Sequence, residues 1–232
     1  MVTKSGVLAS LLLALVSVQG CRSAAVDRDV AAACPKTFDI GALQHSVFMI
    51  SEPAKAESAF GMTVDGGDNY HGSCFYTTWN GRPALITAWH VVEERNGGPY
   101  PILDHWQSGA VAKFTRHKAS DMGIAYLTAV PSSWVPLRLA MVPYGGYCAS
   151  VGYPAFNALT CAGGRVVSFY VEKSENMGEG TYLKVLGIAI PGMSGGPVID
   201  CDGRVFALVA LGRGDIIWHS PLSQPLVLPI GE

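Results

Sequence analysis

The sequence predicts an all-β chain built as two packed antiparallel barrels. Glycine and proline are frequent, 27 and 14 of 232 residues, and scattered without a repeat, as many turns between short strands require. With 49% apolar and 15% charged residues the chain can bury a core and is too apolar for disorder. The short apolar runs fall into two series of comparable length, which favours two closed sheets over one open one. A formal charge of −2 leaves no basic stripe to neutralise phosphates, so nucleic acid is not an expected partner.

The chain begins with Lys4, an apolar run over residues 7–18, and Gly20 before Cys21. This is the layout of an export signal over residues 1–20, with an apolar run too short to span a bilayer. Val18-Gln19-Gly20-Cys21 resembles the lipobox of bacterial lipoproteins, in which the peptide is cut before an acylated cysteine; Gln19 is its less usual occupant. Lipidation of Cys21 and attachment to the cell envelope are therefore expected, and Arg22 lacks the acidic character associated with inner-membrane retention. An ordinary secretory cut near Ala24 or Ala25 is the alternative, and it would discard Cys21. Residues 21–44 read as a tether without strand alternation.

Strands follow. Residues 45–50 form a first apolar run, then a polar Gly-rich loop over 65–69. Residues 70–79 and 82–89 flank Asn80-Gly81, a strong hairpin signal because both residue types tolerate positive φ. Glu93-Glu94-Arg95 suggests a short helical turn ended by Asn96-Gly97-Gly98, and 109–117 another strand. Pro131-Ser132-Ser133-Trp134-Val135-Pro136 reads as a linker, so residues 45–130 and 131–232 would form the two barrels. The second contains runs at 146–153, 163–172, 181–190, 197–201 and 204–211, the last two joined through Asp202-Gly203.

Three sites stand out chemically. His90 lies just past a buried strand, in Thr87-Ala88-Trp89-His90. One of six histidines at a strand end is ordinarily structural. Asp121 opens the apolar run Met122-Gly123-Ile124-Ala125, where an aspartate is commonly a turn former. Ser194 stands among glycines in Pro191-Gly192-Met193-Ser194-Gly195-Gly196-Pro197. Its hydroxyl is a poor nucleophile without an adjacent base, and the glycines would let main-chain N–H groups converge on a developing oxyanion. His90 and Asp121 fall in the first half and Ser194 in the second, so a site using all three would lie in the cleft between the barrels.

In the order His, Asp, Ser, these motifs resemble the chymotrypsin-like (trypsin-fold) serine peptidases, from about residue 45 onward. The resemblance implies two six-stranded Greek-key barrels with the active site between them. It makes Ser194 the nucleophile, His90 the general base and then acid, and Asp121 the group that holds the imidazole tautomer. Gly192 and Ser194 would supply the oxyanion-hole N–H groups. The implied reaction is hydrolysis of protein or peptide substrates through an acyl-enzyme, with no cofactor and no metal. No C-x-x-C or H-x-x-x-H spacing suggests zinc. The competing reading is a non-catalytic binding module on the same fold, against which the retention of all three groups and the oxyanion glycine weighs.

Departures from the digestive branch are informative. Met193 stands where those members carry an Asp that pairs with a new N-terminus, so the loop must be held by packing or by substrate, with Met193 directed into the second barrel and away from the cleft. Gly72-Ser73-Cys74-Phe75 and the short interval from His90 to Asp121 look more like the bacterial high-temperature-requirement and glutamyl-endopeptidase branches. The stretch after Ser194 is too short for a PDZ domain, so a stand-alone protease domain is expected. By resemblance, the specificity pocket has Ile188 as its floor and Ala210, Leu211 and Gly212 as its wall, none able to hold a charge. This favours cleavage after small or medium apolar residues. Ala210 also replaces a Ser that in many members bonds the triad Asp, leaving Asp121 to main-chain donors. The resemblance further implies disulfides Cys148 to Cys201 and Cys34 to Cys161, with Cys74 the odd thiol unless it takes Cys34.

Overall fold

The computed structural model describes residues 38–221 apart from 53–56, 60–61, 65–68, 105–106, 118–119, 142–145, 155–157, 175–177, 188–189 and 214–215. The export signal, Cys21, Cys34 and the floor residue Ile188 lie outside the described residues. A one-turn helix, α1 (Ile40–Leu43), precedes the first strand, within the stretch read as tether. Asp39 starts it by accepting from Ala42 N–H through Oδ1 at 3.1 Å, a local cap that offsets the low intrinsic stability of so short a helix.

The first unit runs β1 (Val47–Glu52), β2 (Glu57–Ala59), β3 (Met62–Val64), β4 (Asn69–Trp79), β5 (Arg82–Thr87), α2 (Trp89–Val92), β6 (Tyr100–Asp104), β7 (Gln107–Ala112), β8 (Thr115–Arg116) and β9 (Gly123–Tyr126). β2 and β3 form a separate hairpin. The other strands make one curled sheet of seven in the order β7-β6-β1-β4-β5-β9-β8. Asn80 and Gly81 have φ of 49° and 75°, the mirror-image turn that matches the twist of its strands, and Trp79 faces Arg82 across it.

The second unit comprises β10 (Tyr147–Gly152), β11 (Thr160–Ser174), β12 (Gly178–Gly187), β13 (Pro197–Asp200), β14 (Val205–Arg213) and β15 (Ile216–Pro221). These six close into a barrel in the order β10-β11-β12-β15-β14-β13. At the 201–204 turn the Asp200 carboxylate accepts from both Asp202 N–H and Arg204 N–H at 2.9 Å and pairs with the Arg204 guanidinium at 2.8 Å. The turn is thus set by a side chain as well as by Gly203, whose φ is 74°.

Residues 131–139 are no loose linker. Val135 N–H donates to His45 O and Leu137 N–H to Tyr76 O, while the Ser46 and Thr77 hydroxyls donate back to the Val135 and Leu137 carbonyls. Trp134 stacks on Phe48 with ring centroids 4.1 Å apart and donates through Nε1 to Asp104 at 2.8 Å. One apolar core joins the units, with Phe48, Phe75, Leu85 and Ile86 meeting Ala149, Val151, Ile199 and Leu208. A second core fills the closed barrel with Val166, Leu183, Val185, Val198, Phe206 and Met193. Met193 is fully buried there, on the side the sequence predicts.

Both implied disulfide pairings need correction. Cys74, Cys148 and Cys161 are free thiols, whereas Cys201 is disulfide-bonded, necessarily to a residue outside the described ones. Strand alternation gives the reason. Cys148 faces Asp200 across the β10–β13 ladder and shares the inner face with Val198, whereas Cys201 is one residue further and falls on the opposite side, with Ile199. Cys161 faces Val151 on β10, packed against the core between the units. Burial pushes the Cys148 thiol up to about 12 and the Cys161 thiol up to about 11, and drives Cys74 higher still.

Candidate active site

The ends of two paired strands bring His90 and Asp121 together. β5 and β9 run antiparallel with Thr87 opposite Gly123, so the residues just after Thr87 and just before Gly123 leave the sheet at the same edge. The chain then turns into α2, one turn earlier than the acidic run at 93–95 suggested. Asp121 accounts for that shift. Its Oδ1 accepts from His90 N–H at 3.0 Å, satisfying a first-turn donor that has no partner within the helix. Its Oδ2 lies 2.7 Å from His90 Nδ1. Asp121 therefore holds both the main chain and the ring of one histidine, and the Nδ1 contact leaves Nε2 for the cleft. The His90 side chain is 34% exposed and that of Asp121 3%, so the imidazole is reachable while the carboxylate is dry.

Ser194 reaches the same edge through its backbone. Ser73 N–H donates to Ser194 O at 2.8 Å. A methyl group placed on Gly72 would sit 2.7 Å from Ser194 O and 3.0 Å from Val91 Cγ2, so the serine and the residue after His90 converge on one glycine. No hydrogen bond joins Ser194 Oγ to His90 among the described residues; such contacts are often looser before substrate binds.

The loop's shape follows from its glycines. Met193 N–H closes on Ile190 O at 3.0 Å, with Pro191 and then Gly192 at φ 98° between them, the sequence and conformation of a type II turn. Gly195, at φ 83°, lies against Thr87 Oγ1 and Ser73 O so closely that a Cβ would overlap both. Met193, Gly195 and Gly196 donate their N–H groups to Ile190, Val209 and Met193 carbonyls. The Gly192 and Ser194 N–H groups donate to none of the described residues. Those are the two donors the sequence assigns to an oxyanion.

Ala210 is buried in the core between the units, at a register shift of β14 against β15, and offers Asp121 no donor. The carboxylate's described donors are both from His90, one of them main-chain. Leu211 and Gly212 continue β14. The residue that sequence reasoning passed over is Ser73: it appeared only within a family-like motif, and its neighbours, distant in sequence, are visible only in the fold.

A two-unit β protein that carries a His–Asp pair at one sheet edge, with a serine in a glycine-rich loop main-chain-bonded to that same sheet, has the layout of a serine hydrolase. The family model of the trypsin-like peptidase domain matches residues 72–208, and the chain belongs to that family. It is 30% identical over 159 residues to the pro-apoptotic serine protease NMA111 of Coccidioides immitis, which covers 62% of this chain but 15% of that protein. The chain thus spans a small fraction of the relatives it matches. Among solved structures, the Rv3671c protease of M. tuberculosis in its active form superposes with a TM-score of 0.57 at 19% identity, over 86% of this chain and 82% of that one. An HtrA-type protease, AlgW with a decapeptide, gives 0.60 at 14% identity over 80% and 64%. These likenesses confirm the all-β, two-unit fold.

Proposed function

We propose that this chain is a serine endopeptidase in which His90, Asp121 and Ser194 act as the catalytic trio. The observation that carries this reading is the double grip of Asp121 on His90, at 3.0 Å and 2.7 Å, beside a loop whose Gly192 and Ser194 N–H groups donate to none of the described residues. Ser194 Oγ attacks the substrate carbonyl as His90 Nε2 takes its proton. Asp121 stabilises the imidazolium, and the two N–H groups receive the oxyanion. His90 then protonates the leaving amine, and water, deprotonated by the same nitrogen, releases the acyl group. Peptide substrates fit the family and the peptide-bound protease it resembles in fold. A preference for small or medium apolar residues, set by Ile188, Ala210, Leu211 and Gly212, belongs to the same proposal. So does export with attachment to the envelope through a lipid on Cys21.

A fluorophosphonate probe tests the core of this reading. It should label the oxidised, folded protein and fail on Ser194→Ala and His90→Ala. No Ser194-dependent label on well-folded protein would leave a non-catalytic binding module. Mass spectrometry of the N-terminal peptide from the exported protein should show an acylated Cys21; a start downstream of Cys21 would remove the anchor.

A further inference from the structure

Ser73 is fully buried at the crossing point of the two units, and each of its polar groups engages a different part of the site. Its N–H donates to Ser194 O at 2.8 Å, and its carbonyl accepts from Thr87 Oγ1 at 2.8 Å. Its hydroxyl accepts from Tyr153 N–H at 3.0 Å and lies 2.8 Å from Gly192 O. A hydroxyl has one proton, and an N–H can only donate. The Ser73 proton is therefore committed to the Gly192 carbonyl, and the direction of the chain Tyr153 N–H to Ser73 O–H to Gly192 C=O is set.

We infer that Ser73 is a positioning residue for the oxyanion site, resting on the protease reading above. It holds the carbonyls on both sides of Met193, one with its hydroxyl and one with its main-chain N–H, so the peptide planes that flank Ser194 N–H are each tied to the first sheet. Gly192 is otherwise the least constrained residue of the loop, because without a Cβ it can leave φ 98° at little cost. In a loop where an apolar Met193 stands in place of an ion-pairing aspartate, this hydroxyl supplies a polar anchor from the opposite unit. Thr87, three residues before His90, ties the same serine to the strand that leads into the base.

The test compares Ser73→Ala with Ser46→Ala, which removes an equally buried serine hydroxyl bond, to Val135 O, away from the loop. With a peptide substrate, Ser73→Ala should lower kcat by about a hundredfold, the cost of one misplaced oxyanion donor, with KM changed by less than about twofold. Affinity for a peptidyl boronate, which forms the tetrahedral adduct on Ser194, should fall by the same factor. Ser46→Ala should keep kcat even where its thermal stability matches that of Ser73→Ala. Equal losses in the two variants, or an unchanged kcat in Ser73→Ala, overturn the inference. Should the wild type take no probe at Ser194, the protease reading fails separately, and the brace is read from amide NMR. Ser73→Ala must shift the Gly192 and Ser194 amide resonances and Ser46→Ala must not; resonances unmoved by Ser73→Ala overturn it.

Discussion

The two units position the members of the proposed catalytic trio by different physics. The curled first sheet fixes His90 with a side chain: Asp121 is bonded to both its backbone and its ring, so electrostatics and hydrogen bonds set the geometry. In the closed second barrel Ser194 is held through its backbone, by main-chain hydrogen bonds of its loop. Positive-φ glycines shape the loop, and Met193 anchors it by burial in the barrel core. A base needs the correct tautomer, which only a charged or polar partner can enforce. A nucleophile flanked by donor N–H groups needs a rigid backbone, which packing provides. Loss of the carboxylate that holds His90 should therefore change chemistry before stability, and loss of the side chain that anchors the Ser194 loop should cost stability first.

The largest expected effect comes from Asp121→Asn. The amide can still accept from His90 N–H through its oxygen, but its NH₂ then faces Nδ1 and forces the proton to Nε2, leaving no base toward Ser194. We expect kcat to fall by about 10⁴-fold with the fold intact, as wrong-tautomer variants of such triads show; steady-state kinetics beside near-UV circular dichroism check it. A comparable loss of stability would show that the charge pair also carries the fold.

Next is Met193→Ala, which removes a fully buried side chain from the barrel core. It should cost about 2–5 kcal/mol in urea unfolding, whereas Met193→Leu, similar in volume, should cost less than about 1.5 kcal/mol and keep activity. If Met193→Ala left stability untouched while kcat collapsed, the loop would depend on something other than packing.

The smallest effect is absent at neutral pH and grows under alkali. Cys148 and Cys161 titrate higher folded, at about 12 and about 11, than at the ordinary value of 9.0, because burial disfavours the thiolate. Between those values the unfolded chain has lost protons that the folded chain retains, so unfolding is favoured as pH rises. Their contribution is fully present below about pH 9 and is lost progressively as pH climbs toward 11–12. Chemical unfolding at pH 8 and pH 10 should show Cys148→Ala, corrected for its pH-independent cavity cost, losing less stability over that interval than the parent.

Much of the fold could be read locally. Asn80-Gly81 is a hairpin because its two residues accept positive φ, and the turn is where that chemistry puts it. The inward direction of Met193 followed from its apolar side chain. What local reading missed depended on distant partners. α2 begins at Trp89 because Asp121 caps it from across the sheet, against the local signal at 93–95. Val135 and Leu137 are bonded into the first sheet by groups from residues 45–77 that no window around them contains. The Cys148–Cys201 pairing failed because proximity in a ladder does not choose a face: Cys148 on β10 lies opposite Asp200, and Cys201, one residue past β13, falls on the other face of the β10–β13 ladder.

The sequence by itself determined the β class, the hairpin at Asn80-Gly81, and the three residue types whose order implies acyl transfer, because turn propensity, alternation and side-chain chemistry are local properties. Tertiary structure decided that Thr87 and Gly123 end their strands together, so that one carboxylate reaches one imidazole. It also decided that Ser73 joins Gly192, Ser194, Thr87 and Tyr153. Those contacts join residues up to 121 positions apart, because register and the docking of two sheets act over the whole chain.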